Sequence, residues 1–154
     1  HDTLFLARRS LKVYAFDIQE NAINATRTRL KKNSCSANVS LLLTGHETMS
    51  QHINSEEKAD AILFNLGYLP HADTSIITQE KTTLTALDDA LKLLSAKGIL
   101  SIIAYPGHCG GQAELQAIIH WYQRLDSSHF AVSIIRSMHE KPDSPRLFTI
   151  QNSQ

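Results

Sequence analysis

Four short stretches carry residue types that could do chemistry. Asp17 closes the apolar run Val13-Tyr14-Ala15-Phe16. A carboxylate at a strand end can accept hydrogen bonds from both hydroxyls of a ribose, or it can cap the following helix. Thr44-Gly45-His46-Glu47 follows a second apolar run. Its glycine lets backbone approach a flat ligand such as adenine, and His46 and Glu47 could hydrogen-bond one, although the same residues also make a plain turn. Asn65-Leu66-Gly67-Tyr68-Leu69-Pro70 follows the run Ala61-Ile62-Leu63-Phe64. There a carboxamide can orient a polar group and an aromatic ring can stack on a flat one, or the segment only turns the chain. Tyr105-Pro106-Gly107-His108-Cys109-Gly110-Gly111 is a glycine-rich loop that could cradle phosphate at a helix start, cover a substrate, or serve as a linker.

All four stretches stand just after apolar runs, which is where ligands bind in open parallel sheets, beyond the carboxyl ends of the strands. The elements that must position them are legible as periodicity. A helix over 2–9 capped by Asp2 and Thr3, a strand over 12–16, a helix over 20–32 ending at Asn33, a strand over 39–43 and a short helix over 47–54 come first. A strand over 61–64 is apolar on both faces, as a central parallel strand must be. Leu84, Leu87, Leu91 and Leu94 stripe a helix stopped by Gly98 as its C-cap. A strand over 99–105 and a helix striped by Leu115, Ile118, Tyr122 and Leu125 follow. The strands over 130–135 and 146–150 have no helix between them, so they pair as an antiparallel hairpin. The expected architecture is one α/β domain over 1–154, with a mostly parallel, Rossmann-like sheet, helices on both faces and a C-terminal antiparallel hairpin.

Composition narrows the function classes. The chain has 154 residues, 42% hydrophobic and 19% charged, which suits a globular core. Fifteen Lys and Arg balance fifteen Asp and Glu, so no global field draws the protein to nucleic acid or an anionic membrane, and any nucleic-acid surface must be local. The first thirty-two residues are locally basic, through Arg8, Arg9, Lys12, Arg27, Arg29, Lys31 and Lys32, either as a solvated helix face or, at Arg27 and Lys31, as a phosphate contact. Cys35 and Cys109 form no Cys-x-x-Cys, the eight histidines show no ligand spacing, and no apolar run approaches a membrane helix. The expectation is a cytoplasmic protein with no metal and no membrane partner.

Several segments read together resemble one small bacterial family of class I methyltransferases, described as rRNA methylases and associated with tRNA 5-aminomethyl-2-thiouridine. The matching text is HDTLFLA (1–7), VYAFDIQ (13–19), FNLGYLP (64–70), DTSIIT (73–78), and YPGH with GG (105–111). Asn65 and Tyr68 also share the spacing of the Asp/Asn-Pro-Pro-Tyr/Phe loop of amino-group methyltransferases, with Leu66 and Gly67 in place of the prolines. Ser144-Pro145-Arg146 departs from the Pro-Pro pair expected near the end.

The resemblance implies S-adenosyl-L-methionine as cofactor, with His1, Asp2, Thr3, Asp17, Gln19, His46, Glu47 and Asn65 as its contacts. It implies Asn65 and Tyr68 as catalytic residues, and Tyr68, Tyr105 and His108 facing the substrate. It implies tRNA as partner, through the anticodon loop, and leaves a homodimer open. In the family a strand and a Gly-Asn-Gly turn stand before His-Asp-Thr. The missing strand is expected between those carrying Asp17 and Asn65, so the 154 residues alone are expected to bind cofactor poorly and to fold marginally.

Overall fold

The computed structural model describes residues 1–67, 80–108, 110–136 and 141–153. Contacts divide the chain into two compact units, His1–Met49 and Ser50–Gln154.

In the first unit, α1 (Asp2–Ala7) leads to β1 (Val13–Asp17), α2 (Glu20–Lys32) and β2 (Val39–Leu43). The two strands pair in parallel, with Val13 opposite Val39 and Asp17 opposite Leu43. The amphipathic stripe of α2 buries Ile23 and Leu30. Val13 of β1 and Ala7 of α1 are buried as well. Asn38 ties the lower end of this unit: its Nδ2 donates to the carbonyls of Ala7 (2.9 Å) and Ser10 (2.7 Å), while its own carbonyl accepts from Val13 N (2.8 Å). Asp2 is the first residue of α1 and His1 its N-cap, with no side-chain cap bond, so the expected capping by Asp2 and Thr3 is not what starts this helix. After β2 comes a 3-10 turn over His46–Thr48 and the single turn α3 (Met49–His52), in place of one helix over 47–54.

In the second unit, β3 (Ala59–Leu66), α4 (Glu80–Leu93), β4 (Leu94–Ala104), α5 (Gly111–Tyr122), β5 (Phe130–Ile135) and β6 (Arg146–Asn152) build a four-stranded sheet of order β3-β4-β6-β5. β3 and β4 are parallel; β6 runs antiparallel to both β4 and β5, so the expected hairpin forms and its second strand inserts beside β4. Leu100 and Ile102 of β4 stand opposite Ile150 and Phe148 of β6, all four fully buried. α4 and α5 pack on each other and on β4.

Several expectations in this unit need correction. Among the described residues β3 pairs with β4 alone, with Ala61 exposed and Leu63 44% exposed, so it is not the central strand buried on both faces that its apolar run suggests. Leu94 opens β4 opposite Ala59 and Gly98 lies inside that strand, so neither belongs to a helix end. The buried face of α4 is Thr83, Ala86, Leu87, Ala90 and Leu93; a stripe counted on leucines alone runs past the true end. In α5 the buried face is Leu115, Ile118 and Trp121. Tyr122 instead sets its ring 5.6 Å from that of Phe148.

Polar ties fix α4 against α5. Trp121 Nε1 donates to Asp88 Oδ1 (2.8 Å). Thr83 Oγ1 donates to Glu114 Oε1 (2.6 Å), both residues being buried. Because a buried carboxylate that loses a donor keeps its desolvation cost, Thr83→Val should destabilise by about 1–3 kcal/mol, with Thr83→Ser close to wild type. The denaturant midpoint measures this, and Thr83→Val combined with Glu114→Gln should cost less than the sum of the two single changes.

Candidate functional site

The parallel pairing of β1 with β2 delivers the first two candidate stretches to one end of the first unit. Asp17 is the last residue of β1 and stands opposite Leu43, the residue before Thr44-Gly45-His46-Glu47. Asp17 Oδ1 accepts from Gln19 N (2.9 Å), an Asx-type turn that orients the carboxylate, and no other bond to this side chain forms among the described residues. The helix after it has Gln19 as N-cap with no side-chain cap bond, so capping α2 is not the role of Asp17. Thr48 Oγ1 donates to Gly45 O (2.8 Å) and lies 3.2 Å from Thr44 Oγ1, which pins the 3-10 turn. The Glu47 carboxylate folds back over Gly45, into the space a β-carbon would fill.

Two apolar side chains at this end went unremarked in the sequence. Ile18 and Leu43 are 55% and 53% exposed, flanking the strand-end carboxylate in sequence and in register. The available signal was an isoleucine directly after Asp17, outside the buried run. His46 and Glu47 are half-buried, as are Thr3 and Gln19, while His1 and Asp2 are exposed at the start of α1.

The second unit gathers the other two stretches. Asn65 pairs with Ile103 and Leu66 with Ala104, so Gly67 emerges beside Tyr105. A β-carbon on Gly67 would come 3.5 Å from Tyr105 Cβ and 3.6 Å from His108 Nε2. The backbone of this turn therefore passes close to both residues read as substrate-facing, with room for little more than a methyl group between. Asn65 is exposed and Tyr105 is 40% exposed. His108 folds against the start of α5, its carbonyl accepting from Gly111 N (3.0 Å). Tyr68, the DTSIIT segment and Cys109 lie outside the described residues.

The β5–β6 connection reaches the same end. Gly107 lies against Asp143, and Gln112 Nε2 donates to Pro142 O (3.3 Å). These contacts were not foreseen, because they follow from β6 inserting beside β4. Among the described residues no group of three His, Cys, Asp or Glu could hold a metal ion, and no helix is long and apolar enough to cross a membrane.

Two glycines bear on whether this arrangement holds. Gly67 has φ +141°, a conformation side chains rarely adopt, and a β-carbon on Gly111 would come 2.5 Å from the Tyr105 carbonyl. Gly67→Ala should cost about 1–3 kcal/mol of stability through backbone strain. Gly111→Ala should displace the Tyr105–His108 turn, read as changed histidine ring chemical shifts by NMR.

Residues 13–151 match the family described as "Putative rRNA methylase". The chain is 38% identical over 112 residues to the chloroplastic tRNA (mnm(5)s(2)U34)-methyltransferase of Arabidopsis thaliana, a match covering 69% of the chain and 40% of that longer protein. It superposes on a "putative rRNA-methylase" from Clostridium thermocellum with TM-score 0.93 and 33% identity, over 99% of this chain and 82% of the other. A "putative methyltransferase" from Streptococcus mutans, solved in complex with SAH, gives TM-score 0.90 and 39% identity over the same shares. The α/β architecture is thus the Rossmann-like one of these methyltransferases, and the chain belongs to the rRNA methylase family.

Proposed function

We propose that the protein is a S-adenosylmethionine-dependent RNA methyltransferase, and that its target is the exocyclic amine of 5-aminomethyl-2-thiouridine at the tRNA wobble position. One observation carries the proposal on the side of this chain: the end of β3, at Asn65–Gly67, lies against Tyr105 and His108 and so joins an amide-bearing strand end to an aromatic ring and an imidazole. The choice of nucleoside is supported by the name of the Arabidopsis relative. The S. mutans protein in complex with SAH supports the choice of cofactor.

The residues of the first unit fit the nucleoside half of that cofactor. Asp17 has one oxygen engaged by Gln19 N and the other available to accept from ribose hydroxyls. Ile18 and Leu43 offer apolar surface beside it, as a purine requires. His46 and Glu47, in the turn after β2, supply polar contacts to the base, and the flexible Glu47 carboxylate covering Gly45 can swing aside. His1, Asp2 and Thr3 at the start of α1 complete the assigned contacts, together with Asn65.

When bound, S-adenosylmethionine supplies an electrophilic methyl group on a sulfonium sulfur. Asn65 accepts an N–H of the substrate amine through its side-chain carbonyl and turns the nitrogen lone pair toward the methyl carbon. With the cofactor bound, this nitrogen would be methylated as the C–S bond broke in line and the sulfur kept the electron pair, and the product ammonium would lose its proton to solvent. Tyr68 and Tyr105 pack on the base, and His108 lines the substrate side. Most of the acceleration comes from holding a neutral amine in line and away from water, since orientation alone can supply up to about 7–11 kcal/mol. An anticodon-loop base is largely unpaired, so extruding it costs little. On this reading the enzyme works in the cytoplasm.

The test is mass analysis of wobble nucleosides from cells lacking the gene. Unmethylated 5-aminomethyl-2-thiouridine should accumulate; if it is methylated as before, the tRNA assignment is wrong, and rRNA, as the family description suggests, is examined next. In the full-length protein, Asp17→Ala should weaken S-adenosylmethionine by roughly 10- to 150-fold by calorimetry, the loss of a charge-assisted hydrogen bond of about 1.5–3 kcal/mol. Asn65→Ala should lower kcat far more than it weakens cofactor binding.

A further inference from the structure

The balanced charge of the chain hides a strong division. The unit His1–Met49 carries seven Lys and Arg against four Asp and Glu, while Ser50–Gln154 carries eight against eleven. Within the basic unit the signs separate again along the strands. Three of its four carboxylates, Asp17, Glu20 and Glu47, lie at or just after the carboxyl ends of β1 and β2. The cations lie toward the other end: Arg8, Arg9 and Lys12 in the α1–β1 connection, and Arg27, Arg29, Lys31 and Lys32 in the last turns of α2.

Hydrogen bonds show that these segments meet. Arg8 Nη2 donates to Asn33 Oδ1 (2.7 Å), joining the end of α1 to the end of α2, and Asn38, just before β2, bonds the end of α1 at Ala7 and the connection after it at Ser10. Between α2 and β2 runs an open groove of about 300 Å³, lined by Arg27, Leu30, Lys31, Ser36, Val39 and Leu41. Three of its lining residues are apolar, Leu30, Val39 and Leu41; the others are two exposed cations and an exposed serine, and no carboxylate lines it. No carboxylate pairs with Arg27 or Lys31 among the described residues; Arg27 Nη1 donates to Asn24 Oδ1 (2.5 Å). Cations in the last turn of a helix complement its dipole, which accounts for Arg29, Lys31 and Lys32 but not for Arg27, Lys12 or the groove.

We infer that this groove, with the cationic end around it, binds the ribose–phosphate backbone of the RNA substrate at a segment outside the target loop. The inference rests on the RNA-methyltransferase reading. Its new content is distance: five paired residues separate the two ends of β1, about 13 Å at 3.3 Å per step, so phosphates held here belong to nucleotides several positions from the ribose-binding Asp17 end. A stem with its loop, rather than the loop alone, is then the recognised unit. Contacts to phosphate carry orientation and salt dependence without sequence.

The experiment is equilibrium anisotropy with the full-length protein, using an end-labelled RNA hairpin and, separately, its single-stranded loop, across a range of salt. Wild type should bind the hairpin more tightly and with the steeper salt dependence. Arg27→Glu with Lys31→Glu should weaken the hairpin at least about tenfold and reduce the slope of log K against log salt by roughly 1.5–2, two phosphate contacts' worth. Loop binding and calorimetric S-adenosylmethionine affinity should stay within about twofold, which also shows that the variant folds. Arg27→Gln with Lys31→Gln should give the same loss in smaller measure. Lys81→Glu with Lys97→Glu, the same charge change in the other unit, should leave hairpin binding within about twofold. The inference is overturned if the Arg27/Lys31 variants bind the hairpin as wild type does, if only their melting temperature moves, or if the Lys81/Lys97 pair is equally harmful. Wild-type protein that binds neither RNA refutes the RNA reading itself, a result distinct from any of these.

Discussion

Parallel strand pairing with a fixed register is the constraint on which the candidate residues of each unit depend. Side chains at the carboxyl ends of two neighbouring parallel strands are delivered to one edge, whatever the separation in sequence. Asp17 opposite Leu43 brings the turn Thr44–Glu47 beside a carboxylate twenty-seven or more residues earlier. Asn65 opposite Ile103 brings Gly67 onto Tyr105 and His108 across about forty residues. The antiparallel insertion of β6 adds a third segment by the opposite logic: Arg146 starts beside Ala104, so the β5–β6 connection, with Pro142 and Asp143, must lie at the same end as Gly107.

Holding those loop ends requires the helices behind them to be immobile. The Thr83–Glu114 hydrogen bond places a buried carboxylate in the first turn of α5, immediately after the turn that carries His108. Its position near a helix N-terminus is favourable for negative charge, and its burial makes the donor from α4 hard to dispense with. The Trp121–Asp88 bond repeats the tie farther along the same pair of helices. The small residues Ala86 and Ala90 are fully buried, and Leu100, Ile102, Phe148 and Ile150 supply the apolar layer beneath. Packing thereby sets where Tyr105 and His108 stand, although neither helix contributes a residue to the chemistry proposed.

The basic unit separates its charges by end. A carboxylate flanked by exposed apolar side chains at the carboxyl ends of the strands suits a nucleoside, whose hydroxyls donate and whose base is flat and weakly polar. Cations at the other end suit phosphate. With the signs apart, no lysine or arginine pairs with Asp17 among the described residues, which leaves one carboxylate oxygen for the ribose contact proposed.

Much of this was legible along the chain. Periodicity located β1, α2, β2 and the final two strands to within a residue or two, because in each case apolar side chains alternate or recur on one face. The polar residues Asp17, Asn65 and Tyr105 could be singled out because each follows an apolar run, near the point where a parallel strand must open to solvent. The resemblance through FNLGYLP and YPGH then pointed to the family that the comparisons bear out. The end of α4 was misread because a buried leucine looks alike in a helix and in a central strand, and Leu94 is the second. Only tertiary structure could decide that Gly67 comes close to Tyr105 and His108, that Thr83 donates to Glu114, that Asp143 reaches Gly107, and that Arg8 after α1 meets Asn33 at the end of α2. These are contacts between segments distant in sequence, fixed by register and packing, and no local pattern of residues encodes them.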